Sequence, residues 1–409
     1  MSDLNAFRWL DGTITVPTEL PSAWAVDGLM PFYRNPNDPR WGGKLGRILY
    51  HESIHFWQLL SSAYLANAVQ AEWLRYVNFQ STGNPGTQAE FVREMYRRQD
   101  DAPFSAHELV ECWARYWDVH TRSPARLVDE DRLEIPAGLV KTVERAGLNA
   151  YTSVVFDYFM QHGSDAQFYA APYRWMLEQA GGNSALTNIL FPTLTFHAFG
   201  SRDPVAVITR SFKRAIRSDA VRASVEARSG SINLDWLSSW DVALHEAVEP
   251  TLHELRMPLF TAGWDVLGRG PLGRHPVYRP YHSRIQLLFA MAVLSQERDE
   301  RPKEGDWLSA YKFVIADLPR RDPRVIFAFP GQPEYRQLLG YWAPPPRVKF
   351  LNRTLHAWDA QDKKAGWVKE VGLSEDELHA MCDGFDRGIP RFNQATYAVS
   401  LGFSADAFD

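Results

Sequence analysis

The stretch 44–79 constrains the chain most. From Arg47 onward it holds neither Pro nor Gly, and its apolar residues recur at helical spacing, which predicts one long helix. Within it stands Leu49-Tyr50-His51-Glu52-Ser53-Ile54-His55-Phe56-Trp57-Gln58. Residues four apart on a helix lie one above the other, so His51 and His55 can offer two imidazole nitrogens to one cation. Glu52 is rotated from His51 by about 100°. That places it beside such an ion rather than among its ligands, where a carboxylate can take a proton from bound water. Gln58 and Ser62 continue the histidine stripe, while Ile48, Leu49, Ile54, Phe56, Trp57, Leu59 and Leu60 surround it. Polar groups along one face of an apolar helix predict a buried polar site. The bland alternative is a surface helix with two ordinary histidines.

A catalytic zinc site takes three protein ligands and leaves a fourth position for water. Glu72 falls in the same predicted helix, about 26 Å beyond His55 at 1.5 Å per residue, too far to share its ion. Glu111 is the better candidate. Ser105 and Glu108 form a capping-box pattern that starts a helix over 106–120, and Glu111 sits in it among Val110, Cys112, Trp113 and Ala114. A carboxylate is rarely buried among such neighbours unless it is paired or metal-bound. A salt bridge to Arg115 is the structural alternative. His107 and Asp118 share the Glu111 face and are candidates, with Gln58, for orienting the ligands.

His51-Glu52-x-x-His55 followed by a glutamate on a later helix resembles the zincin metallopeptidases of the gluzincin type, the group that includes thermolysin. The resemblance covers about 70 of the 409 residues, and its specific part is the five-residue motif. It implies a zincin-like pair of active-site helices, zinc held by His51, His55 and Glu111, and Glu52 as general base in peptide-bond hydrolysis. The sequence departs from the thermolysin pattern four residues after the glutamate, where Arg115 stands in place of an Asp.

Two further readings use the same residues. Two histidines and one carboxylate with open positions also describe non-haem iron oxygenases, so Fe2+ is the alternative to Zn2+. A diiron bundle needs a second Glu-x-x-His pair besides Glu52-x-x-His55. The nearest patterns are Glu249 with His253 and Asp376 with His379. A non-catalytic helical metal-binding or scaffold protein has no use for Glu52. His245, Glu249 and His253 would share a helix face only if the helix survived Pro250, and a charged helix end is expected there instead. The stretch 262–283 breaks the helical pattern with Gly, Pro and Arg. Around it, Tyr278, Arg279, Tyr281, His282 and Arg284 are candidates to hold a substrate carboxylate or an oxyanion.

With a net charge of -5 and scattered basic residues, the chain has no footprint for nucleic acid. Its two cysteines, Cys112 and Cys382, exclude a disulfide framework, and Cys112 reads as a core residue. No secretory signal is visible and no apolar run approaches the roughly 20 residues of a membrane span. A soluble, cytoplasmic protein with a peptide or small-molecule substrate and no membrane partner is therefore expected. The expected fold is mainly α, a single multi-helix body with a few short strands. Residues 1–125 would hold an N-terminal hairpin, 7–16 around Asp11-Gly12, and the metal-binding helices. Residues 126–409 would be a helical remainder packed on them, without forming an independent domain. Other expectations are a loop over 34–43, a helix over 88–98, helices over 137–260 punctuated by Pro192 and Pro204, a helix ending near 296, a strand over 325–329, a loop at 344–346 and a late helix capped by Ser374 and Glu377.

Overall fold

The computed structural model describes residues 6–22, 43–98, 102–121, 170–226, 246, 248–255, 263–281, 345–358 and 372–401. These form a mainly helical body with one small sheet of four strands. The expected loop over most of 34–43, the strand over 325–329, and residues His245, His282 and Arg284 lie outside the described residues.

The hairpin forms where its pattern places it. Strands β1 (Ala6–Arg8) and β2 (Thr13–Thr15) pair antiparallel, with Phe7 opposite Ile14. Gly12 takes φ 65°, in the left-handed region that a side chain resists, and a Cβ there would meet the Pro346 ring at 2.8 Å. Two strands missing from the sequence reading complete the sheet. β3 (Arg347–Lys349) runs parallel to β2, and β4 (Thr354–His356) runs antiparallel to β3. The sheet thus joins residues from both ends of the described chain.

Buried charge fixes this junction. Arg347, 2% exposed, donates from Nη2 to Asp11 at 3.1 Å and to Asp386 at 2.9 Å. Arg8 donates to the same two carboxylates, and Lys349 reaches Asp386 at 3.1 Å. Each carboxylate is shared between cations, so the buried charges are compensated as low dielectric demands.

The helix expected over 44–79 is two helices. α1 (Gly43–Ser61) ends at Ser62, whose ψ of 115° leaves the helical region, and α2 (Ala63–Thr82) restarts with Ser62 as its N-cap. The Ser62 hydroxyl accepts from Leu65 N at 3.1 Å and donates to the Phe199 carbonyl at 3.2 Å. A side-chain oxygen that satisfies a freed N–H makes the break tolerable without Pro or Gly.

The expected helix over 88–98 is limited to the short α3 (Glu90–Glu94). α4 (Ala106–Thr121) begins with the expected capping box: Ser105 N donates to Glu108 and Glu108 N donates to Ser105 Oγ. α5 (Ala171–Gln179), α6 (Ser184–Phe199), α7 (Pro204–Ala215) and α8 (Asp219–Glu226) follow. Pro192 lies inside α6 instead of ending it, in a helix whose Leu190, Phe191 and Leu194 are buried. Pro204 opens α7, where its missing N–H has no helical partner to lose. Residues 248–254 are helical through Pro250, with Glu249 and His253 exposed.

The broken-pattern segment 262–283 contains the short α9 (Gly263–Arg269) and α10 (Pro271–Arg274). Gly263 seats α9 against the α1–α2 break: a Cβ there would lie 2.4 Å from the Leu59 carbonyl oxygen. The closing helix α11 (Glu375–Ser400) starts with the expected Ser374–Glu377 capping box and packs on α2, Tyr76 meeting Phe392 at 5.6 Å. Among the described residues no helix is long and apolar enough to cross a membrane.

Candidate metal centre

α1 packs against α4, and their facing sides carry the polar groups anticipated from the stripe. His51 and His55 project from one face of α1, with ring centroids 5.0 Å apart and planes nearly perpendicular. From α4, Glu111 Oε2 lies 3.6 Å from His51 Nε2 and 3.5 Å from His55 Nε2. Ligand atoms of the three residues all lie within 4.8 Å of one another. Two ligand atoms about 2.1 Å from a tetrahedral zinc are about 3.4 Å apart, so the two nitrogen–oxygen separations are close to a coordination edge. The donor chemistry, two neutral imidazoles and one carboxylate, suits a borderline divalent ion, zinc or iron.

Burial and charge reinforce this. Burial opposes the imidazolium of His55, yet the carboxylates of Glu111 and Glu52 and the bond to Gln58 outweigh it and raise the His55 pKa. Burial likewise opposes the Glu111 carboxylate, but His55 and His51 hold its pKa well below the ordinary range. The space between α1 and α4 therefore favours a positive charge.

Gln58 fixes the ring. Its amide nitrogen donates to the Val110 carbonyl at 3.0 Å, so its oxygen faces His55 Nδ1 at 2.9 Å and accepts from it. With Nδ1 carrying that proton, neutral His55 keeps the lone pair on Nε2, the atom turned to Glu111. Glu52 is 8% exposed, and its carboxylate takes no hydrogen bond among the described residues. Two aromatic residues that the sequence reading passed over complete the surroundings. Phe7 stacks on His55 at 6.4 Å and Trp9 lies at 5.8 Å, both delivered by the hairpin end. Nothing local marked them, because the contact joins residues far apart in sequence.

The remaining candidates divide. His107 packs its ring on Tyr96 at 4.8 Å, one turn before Glu111, and burial lowers its pKa. Asp118 lies in α4, but its side chain is outside the described set. Tyr281 is buried edge-on against Phe56 at 4.9 Å, and Tyr278 donates to the Trp9 carbonyl at 3.1 Å, which makes them supports of α1 and the hairpin. Arg279 is exposed. Glu72 pairs with Arg75 at 2.6 Å and is not part of the cluster. His379, the nearest thing to a second Glu-x-x-His, stacks on His356 at 4.3 Å. Among the described residues only one group of three ligand side chains converges. Comparison of the chain with protein-family models, with curated proteins and with solved structures finds no match.

Proposed function

We propose that the chain is a zinc-dependent hydrolase of peptide or amide bonds, of the gluzincin-like kind its motif resembles. The observation that carries this is the convergence of His51, His55 and Glu111 beside a buried Glu52 whose carboxylate has no other hydrogen-bonding task among the described residues. A structural metal site has no need of that fourth group; hydrolysis does. A zinc ion held by the three ligands would bring a bound water's pKa towards about 7 and polarise the substrate carbonyl.

Glu52 accepts the proton of the attacking water as its oxygen bonds to the carbonyl carbon. The same carboxyl group then returns the proton to the departing nitrogen, and cleavage of the C–N bond leaves a carboxylic acid and an amine. His51, His55 and Glu111 hold their positions throughout. Gln58 keeps the His55 ring from turning, and Phe7 and Trp9 limit the access of bulk water to that side.

Glu52→Gln tests the reading. The variant should retain one zinc per chain by elemental mass spectrometry and lose turnover of a peptide and amide library by a factor of about 100 or more. Turnover at the wild-type rate would remove the mechanism. The two-histidine, one-carboxylate set equally suits a mononuclear iron oxygenase. One iron per chain in the wild type, lost in His51→Ala/His55→Ala, would move the assignment there.

A further inference from the structure

A cavity of about 570 Å³ lies where the hairpin, α2, α3 and α11 meet, inside the roughly 300–1,000 Å³ range of small-molecule sites. None of His51, Glu52, His55 and Glu111 lines it, so it stands apart from the candidate metal centre. Leu10, Leu65, Val69, Val92, Ile389 and Phe392 give it an apolar wall. Such a wall selects a ligand with an apolar body, because covering it releases water from both surfaces.

Two ionised residues line the cavity, Glu72 and Arg8. Glu72 is closed to a ligand: its Oε2 accepts from Arg75 at 2.6 Å and its Oε1 is buried. That ion pair is neutral as a unit. Arg8 is open, with 23% of its side chain exposed. Its Nε and Nη2 are taken by Asp11, Thr13 and Asp386. Its Nη1 gives no hydrogen bond among the described residues and, unlike Glu72 Oε1, is not a buried atom. A guanidinium holds its N–H groups in one rigid plane, so fixing Nε and Nη2 on carboxylates also fixes the direction of the two N–H groups on Nη1. The open donor is thus preorganised at no further cost in side-chain freedom.

The junction around Arg8 sets the sign of the ligand. Arg8, Arg347 and Lys349 meet Asp11 and Asp386, three cations against two carboxylates, which leaves one positive charge in excess. One excess charge and one open nitrogen match a monoanion; a phosphate dianion calls for more cations than the cavity offers. Charge-assisted N–H donors bind a carboxylate more strongly than a neutral oxygen. Thr15, two residues along β2 from the Thr13 that pairs with Arg8, lines the cavity on the same face of the hairpin, and Gln88 and Asn393 add neutral polar groups.

We propose that this cavity binds an apolar monocarboxylate, with the carboxylate held by Arg8 Nη1 and the apolar body against the side chains of α2, α3 and α11. The site rests on neither the metal nor the hydrolase reading.

The test is calorimetric titration of the full-length wild-type protein with octanoate, octan-1-ol and octylammonium, which share a chain length and differ in headgroup charge. Octanoate should saturate at one per chain and bind at least tenfold more tightly than the other two, with or without EDTA. Equal affinity for the three, tighter binding of octylammonium, or no binding of octanoate overturns the proposal without recourse to any variant. Arg8→Gln should bring octanoate down to the affinity of octan-1-ol, and Val69→Trp, which fills the cavity, should lose octanoate altogether. A folded Arg8→Gln that keeps the tenfold preference, or a folded Val69→Trp that keeps wild-type affinity, would also overturn it. N-acetyl-phenylalanyl-leucine separates the two sources of such a carboxylate. Tighter binding of this peptide than of octanoate supports the site with a peptide C-terminus as its ligand; the reverse order supports it with a fatty acid.

Discussion

The amide of Gln58 joins His55 Nδ1 to the Val110 carbonyl, at 2.9 and 3.0 Å, and so couples the orientation of one metal-ligand candidate to the helix that carries another, Glu111. The pairing is buried, with Gln58 3% and His55 4% exposed, so water does not replace it. Gln58→Leu keeps the approximate volume and removes both bonds. Loss of a group that orients a metal ligand typically weakens metal binding 10- to 100-fold. A chelator competition titration should show such a loss in Gln58→Leu, with the far-ultraviolet dichroism of the wild type retained. Unchanged zinc affinity in a folded variant would show that the ring is held without Gln58.

Glu111 and Glu72 are both partly buried glutamates, yet only Glu111 meets the histidines. Glu111→Ala removes one of the three proposed ligands and should leave the purified protein with less than about a tenth of the wild-type zinc after dialysis, a loss of more than about 1.4 kcal/mol in binding. Glu72→Ala should retain the full amount. Elemental analysis of the two proteins side by side checks this, and equal retention would overturn the ligand assignment.

The convergence of His51, His55 and Glu111 was legible because helical periodicity is local. Four-residue spacing alone puts His51 over His55, and Glu111 stood out as a carboxylate amid Val110, Cys112, Trp113 and Ala114. The capping boxes at Ser105 and Ser374 were legible for the same reason. The break at Ser62 was not, since it carries neither Pro nor Gly and its hydroxyl read as one more polar group on the stripe. The partners that make the break tolerable, Phe199 and Gly263, are distant in sequence. Strands of three residues, such as Arg347–Lys349, have too few positions for alternation to register. The same distance in sequence hid the contact of Phe7 and Trp9 with His55.

That break offers its own test. Ser62→Ala removes the acceptor for Leu65 N and the donor to the Phe199 carbonyl, and an N-cap substitution of this kind costs about 1 kcal/mol, with the buried carbonyl adding to it. Gly263→Ala should cost more, about 1–3 kcal/mol, because its Cβ would be driven to 2.4 Å from a backbone oxygen that cannot rotate away. Urea midpoints of the two variants should fall in that order. A wild-type midpoint for Gly263→Ala would show that α9 does not seat against the break as closely as described.

His275 supplies a pH-dependent element away from the candidate metal centre. Its ring lies 5.0 Å from Trp73 and 5.2 Å from Phe385, and burial lowers its pKa to about 4. In the unfolded chain the imidazole titrates near its ordinary value of about 6.5. The unfolded state therefore binds more protons between those two values, and folding stability must fall as the pH drops through the window from about 6.5 to about 4. Above about 6.5 both states are neutral and the contribution is flat; below about 4 both are protonated and it levels off. The shift corresponds to a loss of order 3 kcal/mol across the window. His275→Phe keeps the ring packing and forgoes the weak acceptor that Val277 N uses at 3.3 Å. Carboxylates that titrate near the lower end act on both proteins alike, so the informative quantity is the difference between variant and wild type. Urea unfolding at pH 7.0 and pH 4.5 should show the variant losing about 2–3 kcal/mol less than the wild type between the two conditions. Parallel losses would mean that His275 is protonated in the folded protein and that its contacts with Trp73 and Phe385 accommodate the charge.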